Sequence, residues 1–176
     1  MANDVSERRE AEVRLHHQKE LNRLLLENLA EGVVACDEHG ELILFNRTAR
    51  EWHGADPMHE TPEQWAGKFD LFEADGLVPL AEDRIPLRRA LAGETVREWP
   101  MSIRRKGHDP RVVMASGAPL FDSDGVRLGA VITMRDVTES RRAQAELENT
   151  AAALKSANEA VRRERESLVD LSLIHI

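Results

Sequence analysis

The spacing of apolar residues changes character several times along the chain, and each change predicts an element. From about Ser6 to Asn28 the residues are good helix formers without Gly or Pro. Leu21, Leu24, Leu25 and Leu29 recur there at three- and four-residue spacing, which predicts an amphipathic helix with an apolar end over residues 1–28. After Glu31-Gly32 the runs become short and β-branched. GVVACD and ELILFN, separated by Glu38, His39 and Gly40, read as a hairpin. Asn46 stands before RTAREWH, where its side chain can cap a short helix that Gly54 ends. Between Ala55 and Asp83, Pro57, Pro62, Gly67, Gly76 and Pro79 keep every element short. Pro86 to Ala92, with Gly93 just beyond, predicts another short helix.

Three longer strands follow: TVREWPMSIRR, PRVVMASGAPLF and VRLGAVITMRDV. Turn-rich Lys106-Gly107-His108-Asp109 and Asp122-Ser123-Asp124-Gly125 separate them, so they should form an antiparallel meander. Leu128, Ala130, Ile132 and Met134 alternate with Gly129, Val131, Thr133 and Arg135, which directs the first set to the core. Beyond Asp136 the pattern is helical again. Leu147, Leu154, Val161 and Leu168 stand seven residues apart, with Ala143, Thr150, Ala157, Glu164 and Leu171 at the complementary positions. A helix over 139–170 spans about 48 Å at 1.5 Å per residue, and one with a single apolar stripe is expected to pair with a second copy as a coiled coil.

Composition narrows the function. The 176 residues suffice for one ordinary core with extensions, and the net charge of −8 disfavours a nucleic-acid partner, which needs surplus Lys and Arg to displace counterions. No window approaches the roughly 20 apolar residues of a membrane span, and MANDVSERRE lacks the apolar region of a secretory signal. A cytoplasmic location is expected. The single cysteine, Cys36, lies in an apolar run and reads as a small buried residue. The last residues, LSLIHI (171–176), break the charged helical character and read as translated adapter sequence, which would place a natural continuation and an output domain after about Asp170.

Three segments carry a resemblance through their order and spacing. ENLAEGVVACDEHGELILFNRTAREWHG has Gly32, Asp37 and Gly40, then Phe45-Asn46 with Ala49 and Gly54; IPLRRALAGETV follows; SGAPLFDSDGVRLGAVITMRDVTE ends in Asp136-Val137-Thr138. Together they resemble the PAS domain family of bacterial sensor proteins over residues 29–138, in its first hairpin and helix, its pocket helix, and its last hairpin with an Asp-x-Thr junction. The resemblance implies an α+β fold: a five-stranded antiparallel sheet with small helices over one face enclosing a pocket, here flanked by N-terminal and C-terminal helices. It also implies a sensory role, binding a small molecule or partner and passing the change through the coiled coil to an output domain. By family habit that output belongs to a sensor histidine kinase of a two-component system. A cyclic-dinucleotide enzyme is a further candidate, and a ligand-free scaffold serving dimerisation and spacing is the alternative.

The expected pocket lining is Val34, Leu42, Leu44, Trp52, Leu87, Leu91, Trp99, Met101, Ile132 and Met134, with Arg88 or Arg89 able to meet an anionic ligand through a guanidinium fork. Asp136, Thr138 and Glu139 are placed to cap the exit helix and couple strand to helix. Leu147, Leu154, Val161 and Leu168 form the expected homodimer seam. No catalytic residues are expected, since GxGxxG, GxxxxGK[ST] and GxSxG are all absent. Haem-binding members of the family place a histidine on the pocket helix, and IPLRRALAG has none. Flavin-binding light sensors carry a cysteine motif of the type NCRFLQ, and nothing like it stands between Ala55 and Arg84. Haem and covalent flavin are therefore not expected, and no other cofactor is assigned. His53, Asp56, His59 and Glu60 lack the i, i+4 spacing of a helical metal site. His16 and His17 lack the His-Glu-Leu-Arg-Thr-Pro surroundings of a phospho-accepting helix.

Overall fold

The computed structural model describes residues 2–54 and 70–173. The chain divides into two units at Val137/Thr138. The first begins with helix α1 (Ala2–Glu27), then strands β1 (Gly32–Asp37) and β2 (Leu42–Phe45) and helix α2 (Arg47–His53). After strand β3 (Leu71–Glu73) come a 3-10 turn at Glu82–Arg84, helix α3 (Pro86–Leu91), and strands β4 (Val96–Ile103), β5 (Arg111–Phe121) and β6 (Arg127–Asp136). The second unit is helix α4 (Thr138–Leu173).

The strands form one antiparallel sheet in the order β2-β1-β6-β5-β4-β3. It has six strands where the sequence predicts five, because Leu71–Glu73 pairs with Met101–Ile103 at the sheet edge. The added strand stops at Met101. The next residue of β4 is Pro100, which has no N–H to give to a neighbour. Turn chemistry sets the β1–β2 and β5–β6 hairpins: Asp37 Oδ1 accepts from the amides of His39 and Glu41 at 3.0 and 2.8 Å, and Asp122 Oδ1 from those of Asp124 and Val126 at 2.9 and 2.8 Å.

The core lies on one sheet face beneath the short helices. Val34 and Cys36 of β1, Ala130, Ile132 and Met134 of β6, Val113 and Ala115 of β5, and Met101 and Ile103 of β4 meet Ala49 of α2 and Leu87 and Ala90 of α3. Ala49 and Ala90 are fully buried and let both helices approach the sheet closely. Leu128 departs from the expected alternation and is 49% exposed. Leu120 pairs with Gly129 and Phe121 with Arg127, so Leu128 is skipped in a bulge that bends the strand beside Gly129, whose φ is +145°, and the inward parity begins at Ala130.

Asn46 joins α1 to this core. Its Oδ1 accepts from Ala49 N at 3.0 Å, capping α2, and from Val33 N at 2.9 Å; its Nδ2 donates to the carbonyls of Leu26 and Glu31 at 3.0 and 2.9 Å. Thr48 Oγ1 donates to Leu29 O at 2.6 Å, and Arg50 pairs with Glu27 at 2.6 Å. The hydrogen bond from Arg50 holds the Glu27 carboxyl below its ordinary range. A carboxyl lowered in this way stabilises the fold above its unfolded-state pKa, and that contribution is lost as acid takes the pH down through the folded-state value.

Candidate functional site

An apolar cavity of about 50 Å³ lies between the helices and the inner sheet face. Val34 comes to its wall from β1, Leu42 and Phe45 from β2, His53 from α2, and Leu71 from β3. Ile85, Pro86 and Leu87 close it at the start of α3, and Met101, Ile132 and Met134 floor it. Among the described lining residues His53 is the one titratable group, and its ring lies 5.4 Å from that of Phe45. An apolar cavity of about 150 Å³ is what accepts a benzene ring, so the space suits a much smaller group.

Val34, Leu42, Leu87, Met101, Ile132 and Met134 of the expected lining stand on this wall; Leu44, Trp52, Arg88, Leu91 and Trp99 do not. Leu44 is displaced by a register shift. Ala35 pairs with Leu44 and Cys36 with Leu42, so Ile43 is skipped and the inward parity passes from Leu42 to Phe45. Arg88 pairs with Glu82 outside the cavity. Trp52 packs beside Gly32, where an added Cβ would lie 3.2 Å from the indole and 3.0 Å from Met134 Cε. Trp99 and Leu91 pack against the core at its edge, and it is Arg89, not Arg88, that stacks on Trp99 with Cζ 4.3 Å from the ring centre.

Phe45, His53, Leu71, Ile85 and Pro86 were not foreseen on the wall. Two of them carried a readable signal: Ile85 precedes a proline at the first helical position, which presents the helix start to the core. Asp56, His59 and Glu60 lie outside the described residues. Among the described residues no group of three or more His, Cys, Asp or Glu could hold a metal ion. His16 and His17 are exposed on α1. Cys36 is fully buried, and burial pushes its thiol up to about 11, which leaves it in the unreactive protonated form at neutral pH.

At the strand exit, Arg111 pairs with Asp136 and lies over the Trp52 ring, its Cζ 5.0 Å from the centre. Val137 N donates to Val112 O at 2.9 Å. Thr138 begins α4 and Glu139 places a negative charge in its first turn, the favourable end of the helix dipole. Along α4, Leu147, Leu154, Val161 and Leu168 are each 62–65% exposed in the single chain. Among the described residues no helix is long and apolar enough to cross a membrane.

The family profile for the PAS fold matches residues 26–142. The hybrid signal transduction histidine kinase I of Dictyostelium discoideum is 28% identical over 109 residues, 58% of this chain and 6% of that protein. The PAS domain of an HTR-like protein from Haloarcula marismortui superposes with a TM-score of 0.51 at 15% identity, covering 73% of this chain and 98% of that one. The matched span takes in the whole sheet, α2 and α3, and the chain belongs to the PAS fold family as a sensory and signalling domain related to those of histidine kinases.

Proposed function

We propose that this domain senses a small ligand in its cavity and passes the change through β6 into α4. Two copies of α4 pair as a parallel coiled coil that drives a following output domain, of the sensor histidine kinase type, in the cytoplasm. One observation carries the reading: the cavity floor and the helix exit share a strand. Ile132 and Met134 line the cavity, and Asp136, two residues further along β6, immediately precedes the Val137-Thr138 entry to α4. A ligand that displaces Met134 presses on Trp52 through the tight packing at Gly32, and Trp52 carries the Arg111 guanidinium that holds Asp136. A packed chain of this kind can bias a two-state exit only if the ligand binds the two states unequally.

The small volume favours a second reading, a ligand-free scaffold that dimerises and sets spacing. Native mass spectrometry of the chain purified from cells separates the two. A retained small molecule, released on unfolding, is the expected result; a bare mass under conditions that preserve the fold would favour the scaffold.

Pairing through α4 is tested by cysteine placement. Leu154 is a seam position, whereas Glu159, five residues later, points away from a partner in the same register. Leu154→Cys is expected to form an interchain disulfide under mild oxidation, since paired seam positions come within bonding reach, and Glu159→Cys is not. The native thiol is sealed in the core and does not compete. Equal cross-linking at both positions would mean that the helices do not pair in this register.

A further inference from the structure

The stack of Arg89 on Trp99 contains two donors that no described residue satisfies. Glu94 takes Nε and Nη2 of Arg89 at 2.8 and 2.7 Å. The remaining arm, Nη1, and the indole Nε1 of Trp99 are both buried without a hydrogen-bond partner among the described residues. A buried donor without an acceptor has lost its water and gained nothing in return, and buried polar groups are almost always paired. Two unpaired donors on residues in direct contact mark a place where an acceptor belongs.

The position of the pair says what kind of acceptor. Arg89 is on α3, which gives Pro86 and Leu87 to the cavity, and Trp99 is on β4, which gives Met101. Trp99 and Met101 are two residues apart in an unbroken stretch of β4 and so face the same side of the sheet. The local charge is already balanced: Glu94 pairs with Arg89, and Glu73 with Arg84, whose Cζ lies 5.2 Å from the Trp99 ring centre. With both arginines already paired the site offers hydrogen bonds rather than surplus positive charge, which disfavours a phosphate dianion, carrying twice the charge, more strongly than a monoanion. A planar monoanion with two oxygens matches one free guanidinium arm and one neutral indole N–H.

We propose that Arg89 and Trp99 bind the carboxylate of a small acid, one oxygen on Arg89 Nη1 and the other on the indole N–H, while a short apolar tail enters the cavity. The inference rests on the reading of the cavity as a ligand site and adds the chemical class of the ligand. A tail of a few carbons is the limit set by about 50 Å³.

The test compares butyrate with n-butanol and n-butylamine, which share its tail, on the full chain followed by ¹⁵N–¹H NMR. The three indole signals are assigned with Trp52→Phe and Trp65→Phe variants. Butyrate should move the Trp99 indole proton downfield with saturation, and Arg89→Gln should weaken butyrate about tenfold, the scale of a lost charge-assisted bond, without altering n-butanol binding. If butyrate and n-butanol bind alike, with the indole signal unmoved and Arg89→Gln without effect, the carboxylate assignment falls while the cavity reading stands. If none of the three probes binds saturably, the cavity reading falls and takes this one with it.

Discussion

Asn46→Ala should destabilise the domain by about 3–5 kcal/mol, from the loss of a helix cap and of partners for buried backbone groups. The side chain is fully buried and satisfies four backbone groups from four places in the chain: Val33 N, Ala49 N, Leu26 O and Glu31 O. Alanine removes all four bonds at once, leaving the Val33 and Ala49 amides without this acceptor while Leu26 O keeps only a longer bond from Leu29 N at 3.3 Å, and it vacates the volume of the amide inside the core. The loss is a large fraction of the roughly 5–15 kcal/mol that holds an ordinary domain folded. Urea unfolding with an unchanged slope would report it, and Thr48→Val supplies a scale. That substitution keeps the shape and removes one bond, Thr48 Oγ1 to Leu29 O, and should cost about 1 kcal/mol. A loss for Asn46→Ala no larger than for Thr48→Val would mean that the amide does not join α1 to the sheet. A partial version of the same result has its own signature: hydrogen exchange speeding up at residues 26–33 ahead of the rest would show α1 coming free before the sheet opens.

Asn46 also shows what the sequence made legible. An asparagine before a helical run is a capping signal whatever surrounds it, and the structure has the cap where the spacing predicts it. The hairpin turns were legible for the same reason, since Asp37 and Asp122 act on amides two and four residues away. Three bonds of Asn46 could not be read, because they reach residues 13 to 20 positions distant. What failed in the candidate site failed through single-residue irregularities. One skipped residue, Ile43, exchanged Leu44 for Phe45 on the cavity wall. In the core, Leu128, the residue skipped beside the bend at Gly129, was likewise sent outward. Period-two patterning assumes an unbroken ladder, and a bulge reverses it beyond one residue without leaving a mark in the apolar spacing. The short strand β3 was missed because three residues are too few to show a period. The choice between Arg88 and Arg89 was likewise beyond patterning: adjacent arginines on a helix point about 100° apart, and their acidic neighbours, Glu82 and Glu94, decide which one reaches Trp99.

Gly129→Ala should be similarly costly, about 4 kcal/mol, through strain and a backbone collision. Its φ of +145° is one that residues with a side chain rarely adopt. A Cβ there would lie 1.9 Å from the Cys36 carbonyl oxygen and 2.9 Å from backbone atoms of Asp37. Those atoms belong to β1, so relief requires the end of β1 to move away from β6, breaking the pairing of Asp37 with Gly129 and loosening that of Cys36 with Ala130. Gly125→Ala separates the two contributions. Gly125 also has positive φ, at +78°, but an added Cβ would meet nothing within 4 Å, so that variant should lose only the conformational cost of about 1–2 kcal/mol. Melting and urea midpoints of the two variants should therefore differ by roughly the cost of the collision. Equal losses would mean that β1 and β6 part at this end without penalty. In that event β6 would not be held firmly against β1, and a displacement at Met134 could be absorbed by the strand before it reached Asp136. A large difference would show β6 held between β1 and β5 over the length that runs from the bend to the helix exit, the rigidity that a strand must have if cavity and helix are to move together.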